Sequence, residues 1–275
     1  MKRANIADLI TNTAFKLFEK DLSDCNTGWM NSAVDPSEEI TVYHLAAQAG
    51  VRKSWGREFL QYTTDNIMAT QNLLEWSLDR GNVRNFIFAS SSSVYGRVTD
   101  LPMVEDLTIP MPDSPYGVTK LAAENLVRLY TRNHGMPSVS LRFFTVYGPG
   151  QRPDMAFSIF ARAIREGNPL RIFGDGSQTR DFTYVGDVVH GLRLSEGSTE
   201  GKVMNLGGGK TLPLLEVIAI LEEAAGRKAK LEFLPVQPGD VQDTFASTDL
   251  FLKTTGWKPS TPLLEGLRCQ LRSRA

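Results

Sequence analysis

The sequence predicts an α/β fold organised on a parallel β-sheet, and three observations carry that prediction. Short, near-continuous apolar runs alternate with longer amphipathic stretches through the first half of the chain. Glycines stop the amphipathic stretches, as they stop helices. The spacing of strand, helix and strand argues for right-handed βαβ units. Parallel strands are covered on both faces, so they read as continuous apolar runs rather than alternating ones.

The elements follow in order. Phe15-Lys16-Leu17-Phe18 reads as a first strand, ending at Asp21-Leu22. Ile40 to Leu45 reads as a second strand, ending in the small residues Ala46, Ala47 and Gly50. Glu58 to Arg80 reads as a helix stopped by Gly81-Asn82, and Asn85 to Ser90 as the third strand. A helix from about Pro115 to Asn133 is stopped by Gly135, and Val139 to Phe144 is the fourth strand. After Gly148-Pro149-Gly150 the segments become shorter and richer in Gly and Pro, as in Phe173-Gly174-Asp175-Gly176, Leu206-Gly207-Gly208-Gly209 and Gln237-Pro238-Gly239-Asp240. This region reads as a smaller, irregular unit laid over one end of the sheet.

Composition narrows the function classes. The 275 residues are 41% hydrophobic and 22% charged, with a net charge of −1. No basic field is available to recruit nucleic acid. A small anionic substrate held by a few local arginines fits this charge balance. Cys25 and Cys269 stand in no metal-ligand spacing and read as free thiols of a reducing compartment, with no metal site. No apolar run approaches the roughly 20 residues that span a bilayer, and Met1 to Asn5 lack the apolar core of a signal peptide. The expectation is a cytoplasmic protein with no membrane partner.

Tyr116 and Lys120 form Tyr-x-x-x-Lys at the start of a helix, so both side chains share one face, one turn apart. A free tyrosine, with a pKa of about 10, is a poor base at neutral pH. A neighbouring ammonium favours the phenolate and makes the pair a proton shuttle for a hydroxyl. On its own the spacing also suits an ordinary surface pair. The third strand supplies context, because it ends in Ser90-Ser91-Ser92-Ser93-Val94-Tyr95-Gly96. Ligands of open parallel sheets bind beyond the carboxyl ends of the strands. A serine hydroxyl there can share a hydrogen bond with the tyrosine and a substrate oxygen.

Ser91, Tyr116 and Lys120 together resemble the Ser/Thr–Tyr–Lys triad of the extended short-chain dehydrogenases, the NAD-dependent epimerase/dehydratase family. The resemblance runs along most of the chain. His44 to Arg52 is similar to the family's loop against the dinucleotide, and Asn66 with Thr70 to Leu74 to the helix after it. Arg142 to Pro149 is similar to the segment that touches nicotinamide and sugar, and Arg180-Asp181-Phe182 to the motif whose arginine binds the UDP diphosphate. Where dehydratases of the family carry an Asp-Glu pair before Val-Tyr-Gly, this chain has Ser92 and Ser93, which points to an epimerase. Thr145, followed by Arg152-Pro153-Asp154-Met155-Ala156, is similar to UDP-glucuronate 4-epimerases. A hydroxyl and a guanidinium can both hold a C6 carboxylate.

The resemblance implies a Rossmann-type sheet with a small C-terminal substrate domain, NAD as cofactor, a UDP-sugar substrate and a homodimer. Residues 1–147, with roughly 181–205 and 240–250, would form the NAD-binding unit; 148–180, 206–239 and 251–275 would form the substrate unit. It implies cofactor contacts from Asp21, Leu22, Leu45, Ala46, Ala47, Gln48, Asn66, Ser90, Tyr116, Lys120 and Phe143. Substrate contacts would come from Ser91, Ser92, Thr145, Arg152, Arg180 and Asp240. Apolar residues on more than one face of the two long helices, among them Leu73, Leu74, Trp76, Leu121, Val127 and Leu129, would serve both the sheet and a four-helix dimer contact.

The family's opening strand, Gly-rich turn and helix have no counterpart before Phe15, and no acidic-ended second strand is seen. The sheet is therefore expected to be incomplete on its N-terminal side, with the Phe15–Phe18 strand lacking its neighbour and NAD held weakly by these 275 residues. Two rivals to UDP-glucuronate 4-epimerisation stand at this point. One is UDP-glucose 4-epimerisation; the other is a non-catalytic remnant that keeps a nucleotide-sugar pocket or a dimer surface.

Overall fold

The computed structural model describes residues 2–236 and 241–273. Short helices at Lys2–Asn5, Ala7–Ile10 and Gly28–Ala33 precede the first strand, β1 (Ile40–His44). A long helical stretch follows: an α-turn at Phe59–Tyr62, a π-turn at Thr63–Met68, and α1 (Ala69–Arg80). Then come β2 (Val83–Ser91), α2 (Pro115–His134), β3 (Ser138–Phe143) and β4 (Thr145–Tyr147). The remainder is α3 (Ala156–Glu166), β5 (Pro169–Phe173), β6 (Thr179–Tyr184), α4 (Val185–Leu194), β7 (Glu200–Leu206) and β8 (Thr211–Pro213). The last elements are α5 (Leu214–Ala225), β9 (Lys230–Leu234), α6 (Asp249–Thr255) and α7 (Leu263–Arg272).

The main sheet of the described residues has the order β1-β2-β3-β7, with every pairing parallel. β2 shows why its residues form a central strand. Phe86 and Phe88 project to one face, into a core with Leu73, Leu74 and Trp76 of α1 and Ala123 and Val127 of α2. Ile87 projects to the other, among Val139, Leu141, Val188, Leu192, Met204, Leu206 and Phe251. Alternate side chains point to opposite faces, so a strand covered on both sides must be apolar at every position. Gly81 and Gly135 end α1 and α2 in the left-handed conformation, at φ 78° and 66°, where a side chain would be strained.

The Phe15–Phe18 segment is not a strand: it is irregular, which overturns the sequence-based reading. Leu17 and Phe18 are exposed, and Phe18 stacks on Trp29 at 5.8 Å. The physical reason is the one its surroundings supply. Among the described residues no strand lies beside it, and a four-residue run cannot satisfy its own backbone groups. The chain is held here by side chains instead, with Asn72 Nδ2 donating to the carbonyls of Leu22 and Ser23 at 3.0 Å each.

A second core lies away from the main sheet. Phe157, Phe160 and Ile164 of α3, Leu170 and Ile172 of β5, Val217, Ile218 and Leu221 of α5 and Leu267 of α7 are packed there. β5 pairs with β9, and β4, β6 and β8 form a separate small sheet. Buried Asp181 on β6 joins the two regions: its carboxylate accepts the N–H groups of Gly208 at 2.6 Å, Gly209 at 3.2 Å and Ala246 at 3.1 Å.

Candidate active site

The first turn of α2 is fixed by packing. Ser114 caps it, its Oγ accepting from Gly117 N at 3.1 Å, and Pro115 occupies the first helical position. Gly117 lies so close to the Ser93 carbonyl that a Cβ would stand 2.4 Å from that oxygen. The helix start is thereby wedged against the serine turn after β2. Ser91 Oγ accepts from Ser93 N at 3.2 Å, and its hydroxyl is close enough to Tyr116 to favour the phenolate. Burial pushes the Tyr116 phenol up, while the Ser91 hydroxyl and the positive charge of Arg152 work in the opposite direction.

Lys120 is buried one turn further along, its Nζ 4.3 Å from the centre of the Phe88 ring. Burial pushes its pKa down to about 7, against a raising influence from Glu124. His44, at the end of β1, is held neutral: burial first, and then the Lys120 charge, push it down to about 3. Thr70 Oγ1 donates to the Asn66 carbonyl at 2.6 Å, so the 2.8 Å contact with His44 Nε2 is a bond donated by the ring. His44 Nδ1 is left buried without a hydrogen-bond partner.

Asn66 lies in the π-turn, a local widening of the helix frequent at functional sites. Its Oδ1 accepts from Gln48 N at 2.7 Å, and its Nδ2 donates to Gln48 O at 3.0 Å and Thr119 Oγ1 at 2.9 Å. Thr119 Oγ1 in turn donates to the Tyr116 carbonyl at 2.8 Å. One amide thus ties the loop after β1 to the helix that carries Tyr116. Leu45, Ala46 and Ala47 of that loop are exposed. Tyr62 closes the other side, its hydroxyl donating to Gly50 O at 2.7 Å and its ring 6.1 Å from that of Tyr116.

The remaining sequence-predicted residues divide. Ser92 begins the turn capped by Ser91, Phe143 pairs in register with Ser91, and Thr145 opens β4, so these cluster with the triad at the carboxyl ends of the strands. Arg152 is close enough for its charge to act on Tyr116, yet its guanidinium donates two 3.0 Å hydrogen bonds to Asp154. Ser90 turns into the core, where its Oγ donates to Glu124 Oε2 at 2.6 Å. Arg180 donates to the carbonyls of Thr179 and Gln242 at 2.8 Å and of Val241 at 2.5 Å. Asp21 accepts from Ser23 in the irregular segment, and Leu22 packs with Trp29 and Met30. Asp240 and Gln237 lie outside the described residues.

Sequence reasoning missed Tyr62, Thr119 and Glu124. Glu124 could have been found: it is an acidic residue one turn beyond Lys120, on a helix face otherwise read as apolar. Tyr62 and Thr119 carry no such signal, since their roles depend on contacts 12 and 53 residues away in sequence.

The model of the NAD dependent epimerase/dehydratase family matches residues 2–207. A UDP-glucuronate 4-epimerase of Thermodesulfobacterium geofontis is 38% identical over 269 residues, covering 98% of this chain and 82% of that protein. An uncharacterized UDP-glucose epimerase of Bacillus subtilis is 39% identical over 269 residues, covering 97% of this chain and 83% of that protein. Among solved structures, UDP-glucuronic acid 4-epimerase from Bacillus cereus, in complex with UDP-glucuronic acid and NAD, superposes with a TM-score of 0.90. The identity is 40%, over 98% of this chain and 84% of that one.

Proposed function

The chain belongs to the NAD dependent epimerase/dehydratase family, and from that premise we propose that it is a UDP-sugar 4-epimerase acting on UDP-glucuronate, with NAD as cofactor. The observation that carries the reading is the Tyr116 hydroxyl beside Ser91 at the carboxyl end of β2, with Lys120 one helical turn on. The Bacillus cereus enzyme, with its bound UDP-glucuronic acid and NAD, is the likeness that supports this substrate and this cofactor.

The residues present fit the nicotinamide half of the cofactor. Exposed Leu45, Ala46 and Ala47 offer a small, apolar rim beside half-buried Tyr116, and Lys120 lies behind it. In this reading Gln48, Asn66, Phe143, the Ser90 main chain, Tyr116 and Lys120 line that half, with Asp21 and Leu22 towards the adenine. Bound NAD supplies a reversible acceptor for the hydride at C4. Tyr116, as phenolate, takes the proton from the sugar 4-hydroxyl, and Ser91 holds the 4-oxygen through a shared hydrogen bond. Lys120 as ammonium supports the phenolate and binds the ribose. The 4-keto sugar turns over in the site, and Tyr116 returns the proton to the epimeric alcohol.

Ser92, Thr145 and Arg152 are assigned to the C6 carboxylate, with Arg152 exchanging Asp154 for the substrate. Arg180 and Asp240 are assigned to the nucleotide diphosphate, Arg180 giving up carbonyl partners to reach it. Turnover measured separately on UDP-glucuronate and UDP-glucose, with NAD supplied, tests the reading. Activity on UDP-glucose alone would replace the uronate with the neutral sugar, and activity on neither would overturn the epimerase.

A cytoplasmic homodimer completes the proposal. Among the described residues no helix is long and apolar enough to cross a membrane, and both cysteines are free. Leu73, Leu74, Trp76 and Val127 are buried in the core, so they are not the dimer face. The exposed apolar side chains Phe59, Leu60 and Met68 on one helical stretch and Val118 and Leu129 on the other are the candidates. Light scattering at micromolar concentration distinguishes dimer from monomer.

A further inference from the structure

We propose that Glu124 is a positioning residue for the reaction: clamped by Arg142 and Ser90, its buried carboxylate fixes α2 over the sheet and supports the Lys120 ammonium one helical turn away. This rests on the reading of Tyr116 and Lys120 as the proton shuttle. Glu124 is fully buried and Arg142 nearly so. Its Oε1 accepts from Arg142 Nη2 at 2.7 Å, and its Oε2 accepts from Arg142 Nε at 3.0 Å and from Ser90 Oγ at 2.6 Å. One helical carboxylate is therefore held by the two central strands, β2 and β3. Arg142 is held in turn by the face of Tyr95, 4.6 Å away, whose hydroxyl donates to Asn205 at 2.7 Å.

Stability alone does not explain such a pair. Removing two charges from water costs about what their attraction returns, and well-packed apolar residues serve as well or better. The arrangement around Lys120 supplies a different reason. Burial discharges the ammonium, and Glu124 opposes that. The groups that act on Lys120 are His44 of β1, which stays neutral, Phe88 of β2, and Glu124 of its own helix. Glu124 is the acidic residue of this set, and its two oxygens accept three hydrogen bonds from Arg142 and Ser90. Arg142 remains cationic because Glu124's hydrogen bonds and charge outweigh its burial. Lys120 therefore has, one turn away, a carboxylate that Arg142 and Ser90 hold in one place.

The test is the titration of Lys120 followed by ¹³C NMR in lysine-labelled protein, its signal identified by its loss in Lys120→Arg. It is run on wild type, Glu124→Gln, and a Glu124→Leu/Arg142→Met double variant that removes both charges and keeps a packed core. The expected result is a downward shift of the Lys120 midpoint by roughly one pH unit in Glu124→Gln, the low end for one nearby opposite charge. In the double variant the shift is smaller but in the same direction. If Glu124→Gln does not fold, the double variant decides. A Lys120 midpoint unchanged or raised in the folded variants overturns the proposal, because a purely structural pair leaves it in place. This readout needs no turnover, so it fails or succeeds separately from the epimerase reading.

Discussion

Replacing Tyr116 by Phe isolates one oxygen atom. The ring keeps its edge contact with Tyr62 at 6.1 Å, and the change removes the hydroxyl that interacts with Ser91, at most one hydrogen bond. A typical bond of that kind contributes about 1 kcal/mol, and removing a buried phenol returns part of it. The melting temperature should therefore move by no more than a few degrees. The chemistry should move far more, because general acid–base catalysis contributes roughly 10²–10⁴ in rate. At about 1.36 kcal/mol per factor of ten, the lower bound is roughly 2.7 kcal/mol of barrier. Conversion of UDP-glucuronate to its C4 epimer, followed by chromatography with saturating NAD, should fall at least about a hundredfold. The wild-type rate should rise with pH towards the elevated phenol pKa, and the variant should lose that limb. A folded Tyr116→Phe protein within about tenfold of wild type would refute the assignment, because no general base worth so little fits the expected range.

Lys120 gives a pH prediction. Its folded pKa is depressed from 10.5 to about 7, so the unfolded chain holds more protons between those values and stability rises with pH across that window. Below about pH 7 the buried ammonium costs on the order of 5 kcal/mol, at about 1.36 per unit. Lys120→Met should thus raise stability in urea unfolding at pH 6, by less at pH 10, while abolishing turnover; equal effects at both pH values would contradict the burial argument. Glu124→Ala leaves Arg142 uncompensated and should destabilise by about 3–5 kcal/mol, measured the same way. Gly117→Ala puts a methyl 2.4 Å from the Ser93 carbonyl; a loss of about 1–3 kcal/mol with a large loss of turnover is expected. Arg152→Ala removes a charge-assisted contact of about 1.5–3 kcal/mol, so KM for UDP-glucuronate should rise tenfold or more, and KM for UDP-glucose little.

Much of the sheet was legible because its signals are local. The runs at Ile40, Asn85 and Val139 became β1, β2 and β3, and Gly81 and Gly135 marked both helix ends. Phe15–Phe18 shows the limit: an apolar run becomes a strand only where another strand offers its backbone groups. The π-turn at Thr63–Met68 was not legible, since one extra residue per turn leaves no mark on the apolar pattern. Tyr116 and Lys120 could be placed on one helix face from their spacing, and Ser91 at a strand end from its context and the family resemblance. The bonds of Arg180 could not, because two of its acceptors lie 61 and 62 residues further on.

The separate cores have a consequence for motion. α3, α5, α7 and β5 bury their own apolar residues away from the main sheet, so they can open as a cooperative unit at a lower free energy than global unfolding. The carboxylate of Asp181, with its three backbone donors, is a fastening between that unit and the sheet. Amide hydrogen exchange should then resolve two protection plateaus, the higher in β2 and β3 and the lower in α5. Entry of a nucleotide-sugar would draw on the small gap between them, leaving the strand that carries Ser91 in its protected state throughout.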